Sequence, residues 1–298
     1  MTSKLVSGLR SVALHVPDVA MAEEFYTRIW HLDVIERSGN AIYLRGTGSP
    51  HHLLSFHPGE RTEIRDVTFL ARTPDALATI AAAATRSGGS VVSPPGPINE
   101  PGGGMGVTVR DPDGRVFRVV HGDAVHGNAA ETRDRPTRLA HVVLNSHDVA
   151  ATQRFFETVF GFKLVDRTRI MAFMNCDRDH HTVAFADASE DSLNHIAFVM
   201  PDLESVMRGG GRMKDAGHPI EWGPGRHGPG ANTFNYFIDP FGVVVEYTAE
   251  VQQIDDTYKV GGPDDWKWPP GRVDHWGISA PPSARLKEAQ KKILFAAR

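Results

Sequence analysis

Leu9–Arg37 reads LRSVALHVPDVAMAEEFYTRIWHLDVIER, and 130 residues further on Leu139–Arg167 reads LAHVVLNSHDVAATQRFFETVFGFKLVDR. The two stretches align without a gap, with eight identities in 29 positions and apolar residues matched between them. Two more pairs follow in the same order. DVTFLARTPDAL from Asp66 lies over HIAFVMPDLESV from His195, and RDPDGRVFRVV (Arg110–Val120) lies over IDPFGVVVEYT (Ile238–Thr248). Self-similarity in constant order at a nearly constant offset marks a duplicated domain. The boundary is placed in the polar stretch His126–Thr137, giving a first domain at 1–128, a second at 137–250 and a tail at 251–298 outside the repeat. A chain of 298 residues agrees with two domains of roughly 150 residues each.

Both halves read alike locally. AHVVLN is an apolar strand, Asp148 is a good N-cap, VAATQRFFETVF has helical spacing, and Gly161 supplies the stop. Short runs rich in β-branched and aromatic residues follow, IMAFMN and HTVAFAD among them. The next unit repeats the pattern as NHIAFVM, a helix within LESVMRGGGRMKDAG, then PIEW, NTFNYFI and GVVVEYT. Strand, helix and three strands, twice per half, predict an α+β fold of two tandem domains, each of two βαβββ modules, whose sheets curl around a cavity.

Composition narrows the function classes. Hydrophobic residues at 41% and charged residues at 23% are ordinary for a soluble globular protein with a sizeable core. A net charge of −4 with no Lys/Arg-rich block argues against a nucleic-acid partner. No apolar run approaches the roughly 18 residues that span a bilayer, and MTSKLVSGLRSVALHV lacks the long apolar core of a signal peptide. Cys176 has no second cysteine to pair with, which fits a reducing, cytoplasmic setting. The unusual count is 15 histidines, which directs attention to metal chemistry.

The duplication permits an internal comparison. Three ligand-type residues of the second half face unlike residues in the first: His141 against Ser11, His195 against Asp66, and Glu246 against Arg118. All three fall in predicted strands. In GVVVEYT, alternation puts Val244, Glu246 and Thr248 on one face. An ionised Glu among so many apolar residues is expensive unless it is paired or binds a cation. Two neutral imidazoles and one carboxylate on neighbouring strands would form a facial triad, the set that suits Fe(II) and leaves positions open. The alternatives at this stage are hydrogen-bonded core histidines and a Glu246 paired with an arginine such as Arg167. The cluster His51, His52 and His57 has no acidic partner at ligand spacing and is assigned to the surface.

The second half resembles the catalytic domain of the type I extradiol ring-cleavage dioxygenases (catechol 2,3-dioxygenase-like) of the vicinal oxygen chelate superfamily. The resemblance rests on LAHVVL around His141, DHHTVAF around His181, NHIAF around His195, and GPGRHGPGANTFNYFIDPFGVVVEYT with His227, Tyr236, Asp239-Pro240, Gly242 and Glu246. It covers most of the chain, because that family also carries a degenerate N-terminal domain. One departure is Asn235, where the family usually has an apolar residue; it is expected to point away from Tyr236. The resemblance implies Fe(II), with Mn(II) chemically similar, held by His141, His195 and Glu246. It implies a catecholic substrate and O2, and a homo-oligomer. It also makes His181 the acid–base, with Tyr236 on a substrate oxygen, His227 behind it, and His180 facing the other way. A histidine suits proton transfer because its reference pKa lies near the working pH. The two rival readings are a glyoxalase-like metal-dependent isomerase and a non-enzymatic aromatic-binding module.

The tail segment YKVGGPDDWKWPPGRVDHWGIS carries Trp266, Trp268 and Trp276 with Arg272 between them. It reads as too rich in Pro and Gly for regular structure, and its rings must bury against something. Either it packs on the second domain or a neighbouring subunit, or it forms a lid over the pocket. Trp222, before GPGRHG, is expected to line that pocket.

Overall fold

The computed structural model describes residues 4–127, 132 and 134–297; residues 128–131 and 133 of the expected boundary stretch lie outside the described residues. The strand–helix–three-strand unit occurs four times, as the repeat predicts. The first is β1 (Val6–Val16), α1 (Val19–Arg28), β2 (Asp33–Ser38), β3 (Ala41–Arg45) and β4 (Leu54–Pro58). The second is β5 (Glu63–Ala71), α2 (Asp75–Arg86), β6 (Ser90–Pro97), β7 (Met105–Arg110) and β8 (Val116–His121). The third is β9 (Arg138–Ser146), α3 (Val149–Val159), β10 (Lys163–Arg167), β11 (Met171–Asn175) and β12 (Val183–Asp187). The fourth is β13 (Ser192–Val199), α4 (Leu203–Asp215), β14 (Trp222–Arg226), β15 (Thr233–Ile238) and β16 (Val244–Ala249).

Three helices start at an aspartate whose carboxylate takes a first-turn N–H that would otherwise lack a partner. Asp18 accepts from Met21, Asp148 from Ala151 and Asp202 from Ser205, at 2.9, 2.9 and 2.7 Å. Two of the three glycines within α4 serve close packing. A Cβ on Gly209 would lie 2.7 Å from the Tyr247 ring, and one on Gly210 would lie 2.8 Å from the Asn235 amide.

Each half closes into one sheet. The first runs β2-β3-β4-β1-β5-β8-β7-β6 and the second β10-β11-β12-β9-β13-β16-β15-β14. Two modules meet antiparallel at the centre of each sheet, β1 with β5 and β9 with β13. Parallel pairs flank that junction: β1 with β4, β5 with β8, β9 with β12 and β13 with β16. The fold class is therefore α+β with two tandem domains.

The halves exchange aromatic side chains across their seam. Trp30, after α1, packs on Phe198 of β13 and stacks on Tyr247 of β16 at 3.7 Å. Its repeat counterpart Phe160, after α3, packs reciprocally on Phe69 of β5. Aromatic pairs of this kind each add about 0.5–1.5 kcal/mol beyond the area they bury. Tyr247 Oη donates to the Trp30 carbonyl at 3.0 Å, and Tyr26 Oη donates to Asp239 Oδ2 at 2.8 Å.

The tail becomes regular beyond the Trp-rich segment. It contains a short helix, α5 (Ala284–Ala289), capped by Ser283, and a short strand, β17 (Ile293–Leu294), paired with β13. The Pro/Gly-rich reading holds for the stretch before them, but Ala284–Ala289 is free of both residue types and has good helix formers. Phe295 bridges to Ile64 of β5, so the chain end is stitched to both sheets. Among the described residues, no helix is long and apolar enough to cross a membrane.

The Tyr26–Asp239 bond makes the seam sensitive to pH. Burial pushes the Asp239 carboxyl up to about 6, against the hydrogen bonds it accepts from Tyr26 and from main-chain N–H groups. A carboxyl raised in the folded state gives its contribution at low pH and loses it as pH rises through 6. Tyr26→Phe leaves the ionised form with one acceptor atom unpaired, an expected loss of about 1–3 kcal/mol. Urea unfolding should show that deficit at pH 8 and a smaller one at pH 5, where Asp239 is protonated.

Candidate metal centre

Register in the second sheet determines which side chains converge. Ala197 of β13 pairs with His141 of β9 on one side and with Glu246 of β16 on the other, and Glu246 pairs in turn with Tyr236 of β15. Directly paired residues share a face, so His141, Ala197, Glu246 and Tyr236 form one row across the sheet. His195 lies two residues before Ala197 on the same strand and faces the same way. The methyl group of Ala197 leaves room between the flanking ligands. Nε2 of His141 and Nε2 of His195 are 3.3 Å apart, and Glu246 Oε2 lies 3.3 Å and 3.2 Å from them. All three residues are buried, Glu246 completely.

The electrostatics favour a cation. Burial drives the His195 imidazole down to about 4, so it is neutral near pH 7. Burial pushes the Glu246 carboxyl up, but the imidazoles of His141, His195 and His227 outweigh this and hold it well below the usual carboxylate range. The site thus presents two nitrogen donors and one negative charge. Glu246 Oε1 accepts from Asn232 Nδ2 at 3.4 Å, whereas Oε2 is buried without a well-angled hydrogen bond. An orphaned carboxylate oxygen facing two imidazole nitrogens is the arrangement a divalent ion completes, and the N2O donor set suits iron or manganese. Arg167, the alternative partner considered for Glu246, instead pairs with Asp187 at 2.7 Å.

The other expected residues gather around this group. The His181 ring lies 4.3 Å from that of His141, and burial holds it well below the ordinary imidazole range. His227 Nε2 is 3.0 Å from Tyr236 Oη, which is itself 3.4 Å from His195 Nε2. His180 turns away, its Nε2 meeting Asp166 Oδ2 at 2.7 Å, while its Nδ1 lies 3.2 Å from Nδ1 of His181. Asn235 points away from Tyr236 and donates to the Val206 carbonyl of α4. Trp222 packs on Tyr236 and His227 with ring centroids 5.0 and 5.2 Å away. The tryptophan-rich tail packs behind His227. A Cβ on Gly228 would meet Trp268 at 2.7 Å and Trp266 at 3.2 Å, and Trp276 lies 5.0 Å under the Arg226 guanidinium.

The first half occupies the equivalent row differently. Ser11 pairs with Thr68, and Thr68 with Arg118. Arg118 lies 3.4 Å from Asp66 and 2.6 Å from Glu100. A guanidinium thus stands where the second half gathers its donors. The assignment of His51, His52 and His57 to the surface is corrected: all three are buried beside Arg10 and Arg65. The signal was present in the sequence, because PHHLLSF (Pro50–Phe56) aligns with DHHTVAF (Asp179–Phe185) and makes His52 the repeat partner of His181. A further carboxylate–histidine group, Asp113, His147 and Asp191, shares the Arg115 guanidinium with Asp111; Arg115 lies 2.7 Å from Asp113, 3.3 Å from Asp191 and 2.6 Å from Asp111. Two clefts of about 480 and 530 Å³ run along the seam, and no residue of the His141–His195–Glu246 group lines either.

Known proteins carry the same architecture. The chain is 32% identical to a Mn(II)-bound glyoxalase of Novosphingobium aromaticivorans, with a TM-score of 0.88 over 95% of this chain and 94% of that one. It is 27% identical to Metapyrocatechase 2 of Cupriavidus necator over 305 residues, 93% of this chain and 90% of the relative. A variant of homoprotocatechuate 2,3-dioxygenase from Brevibacterium fuscum shares the fold, with a TM-score of 0.82 at 21% identity over 93% of this chain and 80% of that one. Residues 8–119 and 138–247 each match the family model of the Glyoxalase/Bleomycin resistance protein/Dioxygenase superfamily, and the chain belongs to that superfamily.

Proposed function

We propose that this protein is an Fe(II)-dependent extradiol dioxygenase that opens a catechol-type ring next to its diol with O2. The observation that carries the reading is the cluster of His141, His195 and Glu246, found among the described residues in the second half and not the first, with His181 on one side and the Tyr236–His227 pair on the other. Curated relatives named as extradiol enzymes support it, and their names include both iron-dependent and manganese-dependent members. The donor set accepts either metal, and Fe(II) is the one proposed. The domain assignment follows: 1–128 is the degenerate domain, 137–250 the catalytic one and 251–298 a tail.

His141, His195 and Glu246 are the proposed ligands. A metal bound there would supply open positions for both catechol oxygens and for O2, and would lower the pKa of a bound hydroxyl. The remaining chemistry belongs to the chain. His181, neutral because it is buried, takes a proton from a substrate hydroxyl and later returns one. His180, backed by Asp166, holds the Nδ1 side of the His181 ring and leaves the opposite side to do this work. Tyr236 donates a hydrogen bond to a substrate oxygen. His227 orients the Tyr236 hydroxyl, and Trp222 stacks on Tyr236 to exclude water.

One observation favours a second reading, metal-dependent isomerisation: the relative from Novosphingobium is described as a glyoxalase. The ligand arrangement speaks for ring cleavage. All three ligands come from one half, and β12 offers only Asp187, which is engaged by Arg167.

Oxygen uptake by protein purified anaerobically and loaded with Fe(II) separates the readings. With a catechol panel, stoichiometric O2 consumption and a yellow ring-opened product are expected. Isomerisation of a methylglyoxal–thiol adduct without O2 uptake would overturn the dioxygenase reading. Glu246→Ala should lose metal, measured by elemental analysis after desalting. His181→Ala should keep metal and lose about 10²–10⁴-fold in turnover.

A further inference from the structure

His195 Nδ1 lies 2.8 Å from Asn194 Oδ1, and that contact is the last of a series whose polarity starts at a main-chain group. The carbonyl oxygen of Gln290, just past α5, can only accept. Asn145 meets it at 2.6 Å, so the atom of Asn145 that faces it is the Nδ2 donor. The same Nδ2 donates to Ser192 Oγ at 2.7 Å. Asn145 Oδ1 must then point the other way, where it accepts from Asn194 Nδ2 at 2.9 Å. That donor in turn fixes Asn194 with Oδ1 toward His195. The Gln290 side chain secures the same oxygen, donating from Nε2 at 2.8 Å. An amide oxygen accepts only, so the proton of neutral His195 sits on Nδ1 and its Nε2 lone pair faces Glu246 and His141.

We infer that the C-terminal segment sets the tautomer of His195, with Asn145, Asn194 and Gln290 as positioning residues that keep Nε2 unprotonated for a metal. The reading of His195 as a ligand comes from the proposed function; the tautomer itself is a property of the chain. Among the described residues none gives His141 equivalent support, and its Nδ1 is buried without a hydrogen-bond partner. The two histidines are therefore unequal. The tail reaches this point because β17 pairs with β13 at Ser192 and Leu193, immediately before Asn194 and His195. Groups that hold the far nitrogen of a ligating imidazole typically affect metal affinity by about 10–100-fold.

Two measurements on the full chain test this. Long-range 1H–15N NMR of metal-free, 15N-histidine-labelled protein, with His195 assigned through His195→Gln, should show a protonated Nδ1 and a bare Nε2. In the double variant Asn145→Leu/Gln290→Leu, which removes both side chains that hold the Asn194 amide, the other tautomer should appear. Mn(II) titration followed by EPR should show affinity falling about 10–100-fold in Asn194→Leu. It should stay near the wild-type value in Asn194→Asp, which keeps an acceptor toward Nδ1. A wild-type His195 protonated on Nε2, or equal Mn(II) affinities for wild type and Asn194→Leu, would overturn the inference. Wild-type protein with the expected tautomer but no Mn(II) binding would support the inference while overturning the metal-centre reading, so the two fail separately.

Discussion

A carboxylate with no exposed surface lies near the centre of the second sheet, and much of the surrounding structure answers to its charge. Glu246 stays ionised although burial opposes it, because imidazoles, His141 foremost, face it and Asn232 holds one oxygen. Isolated in a low-dielectric interior, such a charge would be prohibitively costly. The neighbouring residues are chosen accordingly. Ala197 is small enough to let ligands on both sides approach, and Tyr236 brings a hydroxyl rather than a hydrocarbon to the next place in the row. Those choices leave one oxygen of Glu246 without a hydrogen bond, a condition a divalent cation relieves.

The duplication shows that the scaffold itself does not demand a metal. In the first half the same row of positions carries Ser11, Thr68 and Arg118, and the cation is supplied covalently as a guanidinium. Arg118 sits between Asp66 and Glu100, and its charge is stabilised chiefly by Asp66. Charge in the first sheet is thus balanced from within the chain, whereas in the second that task falls to the proposed cation. Only the second leaves its donors converging on shared space. A fixed side-chain cation cannot offer open coordination positions, which confines the proposed chemistry to one half.

How much of this was legible in the chain follows from the range of the interactions. The repeat, the aspartate caps and two-residue alternation are local, and they placed four modules and pointed to His141, His195 and Glu246. That His141 and Glu246 both pair with Ala197 depends on register, including a bulge between Leu193 and His195, which no spacing rule reveals. His51 and His52 differ from expectation for another reason: with no acid at ligand spacing, their local sequence points to solvent. The repeat would have aligned them with the His180–His181 pair and thus with the inside of a sheet. No local pattern marks Asn194, because its importance comes from Gln290, 96 residues away.

That distance also explains why the tail cannot be treated as an appendage. Its aromatic part packs against the loop that carries His227, while α5 and β17 pass behind His195 and end at Ile64 of the first sheet. One segment therefore touches both sides of the candidate centre and the seam between halves. A ligand site on neighbouring strands of a sheet is well located by the strands alone. The ring orientation and proton position of each imidazole still need donors and acceptors from outside the row. For His195 the acceptor is Asn194 of its own strand, held in orientation by Asn145 and by Gln290 just past α5, so the inferred proton position depends on a segment outside the row.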